Sequence, residues 1–234
     1  MVCKPGQVED VRYDSNRWSL LRKLRLEAIN LMKPLIKRGF KPYVYGSLAR
    51  GDVKKDSDID IILLEPVNPV IIESIYMMDG FEICKKVIVQ ATPTYTPKLY
   101  IWFDIDGLKL VSMPLRSLKS REAEFYKFGG LVDYNGLISG CRVPGVDKRL
   151  ILIKPTDYGH YGECIIGREG YVARLLGISE AIVKERVMIL SRRDEFGRTG
   201  VFLEYSLEPE VDTLEAIHNL KKINKHFRRA LEQN

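Results

Sequence analysis

The chain has 234 residues, 45% of them hydrophobic, 29% charged and 9% aromatic. That balance excludes a disordered tail, a collagen-like fibre and a coiled-coil rod. A net charge of +6 and a pI near 9.0 suit a nucleic-acid or nucleotide partner without requiring one.

The first expected element is a helix over residues 14–38. Trp18, Leu21, Leu24, Ala28, Ile29, Met32, Leu35 and Ile36 recur at helical spacing, Asp14 or Ser15 caps the start and Gly39 ends it. Pro34 falls inside the pattern and is expected to kink or split the helix. A short strand, Pro42–Tyr45, leads into Gly46-Ser47, and a second apolar strand covers Ile59–Leu64. A short helix is expected over 69–78 and strands over 85–90 and 98–104. Asp106-Gly107 reads as a two-residue hairpin turn into a return strand, Leu108–Met113. Arg116–Phe128 reads as a helix stopped by Gly129-Gly130.

Residues 131–166 are glycine-rich and carry no clear period, apart from a strand at Leu150–Ile153. A domain boundary is expected near 150–165, giving domains at 1–150 and 151–234. Helices at Arg168–Leu176 and Glu180–Arg192 flank Gly177-Ile178-Ser179. A strand at Val201–Leu207 and a final helix, Asp212–Leu231, complete the chain.

Chemistry concentrates in residues 43–64, YVYGSLARGDVKKDSDIDIILL. A strand delivers Gly46-Ser47 to a tight turn, where a residue without Cβ lets a phosphate approach the backbone. A helix starting at Leu48 would aim free N–H groups at the same place. The Ser47 hydroxyl adds a donor, and Arg50, Lys54 and Lys55 add positive charge. Asp58 and Asp60 sit two apart on a strand, so both carboxylates face one way. Two like charges held that close favour a cation between them, and hard oxygen ligands suit Mg²⁺ or Mn²⁺. A phosphate cradle beside such a pair is what metal-assisted phosphoryl or nucleotidyl transfer requires.

Gly46-Ser47, ten intervening residues and Asp58-Ile59-Asp60 resemble the signature of the DNA polymerase β-like nucleotidyltransferase superfamily. Arg50-Gly51 and Ser57 also match its minimal members and the archaeal tRNA CCA-adding enzymes. With its helix–strand–turn–strand context the resemblance extends over residues 14–115. It implies an α/β (α+β) fold, a mixed sheet flanked by helices. The implied substrate is a nucleoside triphosphate, attacked at its α-phosphorus by an acceptor hydroxyl with release of pyrophosphate. It implies two metal ions held by three carboxylates. Asp58 and Asp60 would be the first two, and Gly46 and Ser47 would bind the triphosphate, with Arg50 and Lys55 as helpers.

The third carboxylate departs from the pattern. The CCA-adding enzymes place it on the return strand three residues before a proline, and here Pro114 puts Val111 at that position. Asp104 is the substitute that a two-residue turn at Asp106-Gly107 would bring to the same face. It has two readings, metal ligand or cross-strand partner of Lys109.

Residues 171–190 resemble a helix-turn-helix, with Ala173, Leu176, Ile178, Val183 and Val187 at core positions and Ser179 capping the second helix. Residues 196–200 leading into Val201–Leu207 look like the wing of a winged-helix domain. RNA or DNA binding through residues 168–200 is one reading and a plain packing module the other. A nucleotidyltransferase fold that is catalytically degenerate, regulating through this module, is the competing function.

No run of about 18 apolar residues spans a membrane. Lys4, Glu9, Asp10 and Arg12 do not make a signal peptide. The expectation is a cytoplasmic protein. Cys3, Cys84, Cys141 and Cys164 form no C-x-x-C pair, so scattered reduced thiols are expected in place of a zinc site.

Overall fold

The computed structural model describes residues 1–197 and 199–232. The chain opens with β1 (Val8–Arg12) and the long helix α1 (Ser15–Lys37), followed by β2 (Pro42–Tyr45) and the single turn α2 (Ser47–Arg50). Then come β3 (Ile59–Leu63), α3 (Pro69–Met78), β4 (Lys85–Gln90), β5 (Lys98–Trp102) and β6 (Lys109–Pro114). Next are α4 (Ser120–Gly129), β7 (Leu131–Asp133), α5 (Tyr134–Ile138) and β8 (Gly145–Val146). β9 (Ile151–Thr156), β10 (Gly159–Cys164), α6 (Glu169–Leu176) and α7 (Glu180–Phe196) precede β11 (Leu203–Leu207), α8 (Thr213–Ile223) and α9 (Lys225–Glu232). Among the described residues no helix is long and apolar enough to cross a membrane.

The chain divides into two compact units. One comprises residues 1–29, 43–57 and 120–199; the other comprises 30–42, 58–119 and everything from Gly200 onward. These units draw on interleaved segments, in contrast to the expected domains at 1–150 and 151–234. β1 pairs antiparallel with β10, Val8 opposite Glu163, so the first residues of the chain belong with those around 160.

The second unit is built on a mixed sheet in the order β11-β4-β5-β6-β3. β3 runs parallel to β6, and the remaining neighbours are antiparallel. Ile59 and Ile61 of β3, Ile88 of β4, Leu99 and Ile101 of β5 and Val111 of β6 share one face and are buried. α3 packs Ile72, Ile75 and Tyr76 into the same core, and the Tyr76 hydroxyl donates to the Leu31 carbonyl at 2.8 Å. Lys86 lies on this face too, 1% exposed. Its ammonium donates to Glu73 of α3 at 3.0 Å and to the Val211 carbonyl at 2.7 Å, and Thr213 donates to the same carboxylate. A buried charge needs such a partner set, and this one ties α3, β4 and the start of α8 together.

Two expectations change in this unit. The strand expected to form a wing is β11, which pairs with the edge of β4, Leu203 opposite Gln90 and Leu207 opposite Lys86. Its alternation fits any sheet edge, and β4 supplies one. Arg198, in the expected wing tip, lies outside the described residues. The final helix is two helices separated at Asn224, whose side chain accepts from the His226 and Phe227 N–H groups and so caps α9. Asp212 caps α8 through the Leu214 and Glu215 N–H groups, as the spacing predicts.

The first unit holds a four-stranded antiparallel sheet, β1-β10-β9-β8. Leu150, Ile151, Leu152, Ile153 and Ile165 form its core with Val172 of α6 and Val183 of α7. Much of the stretch left unassigned from sequence is this sheet. Cys3 and Cys164 are joined as a disulfide, Cα to Cα 5.8 Å, which corrects the expectation of reduced thiols at these two positions. The pairing of β1 with β10 brings the two cysteines together across the sequence. β2 pairs antiparallel with β7, Tyr45 opposite Leu131.

Pro34 is accommodated within α1, which remains a continuous helix through Lys37. α4 starts at Ser120, four residues later than the sequence suggests.

Candidate nucleotide site

β2 carries the chain to Gly46 with Val44 buried, and the Gly46 N–H donates to the Gly130 carbonyl at 2.9 Å. Gly46 has φ +79° and ψ −139°, a conformation that a side chain would strain, and a Cβ there would meet nothing within 4 Å. The backbone at Gly46 is thus held in place and bordered by open space. Ser47 Oγ donates to Ser57 Oγ at 3.4 Å, and Ser57 Oγ accepts from the Lys54 N–H at 2.8 Å. These bonds fold residues 51–57 back onto the start of α2. Arg25, buried in α1, donates to the Leu48 and Ala49 carbonyls at 3.0–3.2 Å. Burial pushes the Arg25 pKa down to about 10, so it stays a cation at neutral pH.

Arg50 is 5% exposed and faces inward. Nε and Nη2 each donate to the Asp52 carboxylate at 3.0 Å, and Nη1 donates to the Gly129 carbonyl at 2.5 Å. This guanidinium, an anion-binding helper in the sequence reading, is engaged here by Asp52 and Gly129. Lys54 and Lys55 are exposed. With Asp14, Asn16, Arg17, Leu20 and Val53 they line a cavity of about 440 Å³. Arg17 was missed from sequence because the helix was read for its apolar stripe. Its position beside the lysines arises from the packing of residues 53–55 against the first turn of α1. The Arg17 guanidinium lies 4.0 Å over the Tyr13 ring.

In the other unit, Asp58 is exposed immediately before β3 and Asp60 is half-buried on it. Ile59 and Ile61 are buried on the opposite face, and the Ile59 N–H donates to the Leu108 carbonyl at 2.6 Å. Strand alternation places both carboxylates on the open side of a β3 end that its neighbours anchor.

The register decides what stands beside them. Asp60 pairs with Leu110 and Leu110 with Trp102, whereas Ile61 pairs with Val111. Paired residues share a face, so Val111 points away from Asp60 into the core. On the Asp60 face β6 presents Leu110 and Ser112, and β5 presents Tyr100 and Trp102. Neither strand adds a carboxylate there. A two-residue turn at Asp106-Gly107 would pair Trp102 with Val111, but Trp102 pairs with Leu110 because the hairpin closes over residues 103–108. Asp104 Oδ1 accepts from the Leu108 N–H at 2.9 Å and the Lys109 N–H at 3.0 Å. Its carboxylate orders the hairpin loop and meets Lys109, one of the two partners read from sequence, through that residue's backbone N–H. Among the described residues no group of three histidine, cysteine or acidic side chains gathers as a metal site.

Two oxygen-donor carboxylates on one open face do fit a divalent ion that takes its other ligands from water and phosphate oxygens. They do not make a closed cage for two ions.

The helix-turn-helix pair is present as two helices. Gly177 turns the chain at φ +62°, Ser179 Oγ accepts from the Ile182 N–H at 3.4 Å, and Ala173 and Val183 are buried as expected. α7 runs on to Phe196, and the strand after it, β11, pairs with β4. At its start Glu180 pairs with Lys184 at 2.8 Å, and Ser179 donates to Glu124 at 2.5 Å. Acidic groups at that end oppose a phosphate backbone.

Residues 27–109 match the family model described as a nucleotidyltransferase domain. The matched segment contains Gly46, Ser47, Asp58 and Asp60, and it covers a minority of the 234 residues. No curated protein and no solved structure matches the chain. The mixed α/β architecture accords with a nucleotidyltransferase fold, and nucleotidyl transfer is the general activity that the match supports.

Proposed function

We propose that the chain transfers a nucleoside monophosphate from a nucleoside triphosphate to a hydroxyl acceptor, by attack on the α-phosphorus with release of pyrophosphate. The observation that carries this reading is the exposed Asp58 just before β3 and the half-buried Asp60 on it, within a segment that matches a nucleotidyltransferase domain. Asp58 and Asp60 would hold Mg²⁺ or Mn²⁺. The ion, when bound, would neutralise phosphate charge and polarise the phosphorus. Gly46 offers backbone without a Cβ to the triphosphate. Ser47 can exchange its long hydrogen bond to Ser57 for one to a phosphate oxygen. Lys55 supplies charge without a competing buried partner of the kind that occupies Arg50.

The acceptor hydroxyl must lose its proton, and the sheet face beside Asp60 supplies no third carboxylate to receive it. Leu110 occupies the paired position on β6. The reading therefore includes slow transfer, with proton removal left to solvent or to the acceptor's own groups. The acceptor would be a hydroxyl of RNA, DNA or protein, and the protein would act in the cytoplasm.

The test is calorimetric titration with each nucleoside triphosphate plus Mg²⁺ or Mn²⁺, on the wild type and on Asp58→Asn/Asp60→Asn. Metal-dependent binding lost in the variant supports the reading, and transfer is then sought with labelled nucleotide. A wild type that binds no triphosphate with either ion overturns it.

A further inference from the structure

The register that removes a third carboxylate places aromatic rings in its neighbourhood. One straight row crosses the sheet of the second unit: Lys85 on β4, Trp102 on β5, Leu110 on β6 and Asp60 on β3. The next row holds Val87, Tyr100, Ser112 and Ile62. Trp102 therefore stands on the same face as Asp60, two strand spacings away, about 10 Å. Leu110 between them is 7% exposed and forms an apolar floor.

Trp102 and Tyr100 are half-buried, while their strand neighbours Leu99 and Ile101 are fully buried on the other face. Their rings lie 5.8 Å apart at an interplanar angle of 25°. Aromatic groups in the core of this unit pack differently, as Tyr76 meets Phe81 at 85°. Near-parallel rings this close are offset-stacked, each covering part of the other and leaving its outer face, whereas edge-to-face rings interlock and fill volume. Lys85 Nζ sits 5.7 Å from the Trp102 ring centre at the far end of the row. Gly107 borders the ring, and a Cβ there would come within 3.8 Å of Trp102 Cδ1 and Nε1. The hairpin loop thus lines the platform without covering it with a side chain at that point, and Asp104 holds that loop in shape.

We propose that Trp102 and Tyr100 form a stacking platform for a nucleobase, the base of the nucleotide whose phosphates are bound at Asp58 and Asp60. It rests on the function proposed above and extends it to the part of the substrate that the carboxylates do not touch. A nucleotide spans about this distance between its phosphate and the far edge of its base. Every base has a π-face, so the platform selects nucleotides over inorganic polyphosphate and discriminates weakly among bases.

The chain has two tryptophans, Trp18 and Trp102, so Trp18→Phe leaves Trp102 as the sole indole reporter. In that background ATP or CTP with Mg²⁺ should quench Trp102 fluorescence saturably, over the concentrations at which calorimetry reads binding. Inorganic tripolyphosphate with Mg²⁺ should release heat without quenching. Trp102→Leu should weaken ATP binding about tenfold and leave tripolyphosphate unchanged. Trp102→Phe should recover most of the loss, which a variant that merely unfolds the hairpin would not do. ATP binding that neither quenches Trp102 nor depends on residue 102 overturns the platform and leaves the phosphate reading standing. Binding that needs Trp102 but survives Asp58→Asn/Asp60→Asn keeps the platform and removes the proposed role of the carboxylates. No binding of any nucleotide or polyphosphate removes both.

Discussion

Arg50–Asp52 and Asp58–Asp60 lie a few residues apart in sequence and occupy opposite electrostatic situations. The first is a cation and an anion whose side chains are 7% and 11% exposed, joined by two 3.0 Å hydrogen bonds. The second is two anions on one open strand face, with buried isoleucines behind them. Buried opposite charges satisfy one another and stabilise a particular arrangement of chain. Like charges held close together disfavour one another, and a cation beside them relieves that repulsion. From sequence Arg50, Asp58 and Asp60 read as parts of one anion and metal site, whereas in the structure the Arg50 guanidinium is joined to Asp52.

The largest expected effect follows from the scaffold side. Arg50→Ala leaves Asp52 and the Gly129 carbonyl without their donor in a nearly dry setting, at a cost of about 3 kcal/mol. Chemical denaturation should show that loss with no ligand present. A variant of wild-type stability with weakened triphosphate binding would reverse the assignment and return Arg50 to the anion site.

Asp58→Asn/Asp60→Asn should behave in the opposite way. Stability should change by no more than about 1 kcal/mol, because Asp58 is exposed and Asp60 half-buried. Metal-dependent triphosphate affinity should fall by more than about tenfold. Calorimetry and a denaturant titration on the same protein sharpen the contrast. If the two variants lose stability and binding in parallel, the distinction between scaffold and site fails.

The motif was legible because all its information is local. Fifteen consecutive residues carry Gly46, Ser47, Asp58 and Asp60, and strand alternation alone sets which way the carboxylates point. The strands β2, β3, β4 and β5 were legible from apolar patterning for the same reason. What escaped depends on partners distant in the chain. Cys3 and Cys164 meet only once β1 has paired with β10. The edge that β11 joins cannot be read from Leu203, Tyr205 and Leu207, whose alternation suits a wing equally well. The hairpin register was misjudged for a subtler reason. Asp106-Gly107 is a strong turn signal, but the Asp104 carboxylate gathers two backbone donors and widens the loop to residues 103–108. A shift of one residue flips a face, and here it moved Val111 into the core and brought Trp102 alongside the Asp60 row.

That account gives a smaller, separable effect. Asp104→Ala removes one acceptor from two backbone N–H groups in a partly exposed loop, about 1 kcal/mol. Triphosphate affinity should change less than it does in Asp58→Asn/Asp60→Asn, since the carboxylate is committed to the loop. Amide exchange at Leu108 and Lys109 should quicken in Asp104→Ala. A collapse of metal-dependent binding with unchanged exchange would restore Asp104 as the third ligand.

The smallest effect belongs to the scaffold network of the first unit and is read through pH. Tyr13 donates to His160 Nδ1 at 2.7 Å, which leaves the Nε2 proton facing Glu9 Oε1 at 3.4 Å. Burial pushes the Tyr13 pKa up to about 12, so it remains a donor at neutral pH. His160, 3% exposed, is held below the ordinary histidine value by burial, against the pull of Glu9 and Asp52. Burial opposes ionisation of Glu9, yet the Arg149 and His160 partners outweigh it and hold Glu9 below the ordinary carboxylate value. Both shifts act in one direction. As pH falls below about 6.5 the unfolded chain protonates its histidine while the folded chain resists, so stability declines. At lower pH the contribution of Glu9 is lost as well, between its ordinary and its depressed pKa. A melting-temperature profile should therefore slope downward from pH 7 to pH 5, and His160→Gln should flatten the upper part of that slope. Triphosphate binding through Asp58 and Asp60 should not follow the His160→Gln change. A shared dependence would mean that the carboxylate face and the histidine network respond as one site, against the division from which the larger predictions start.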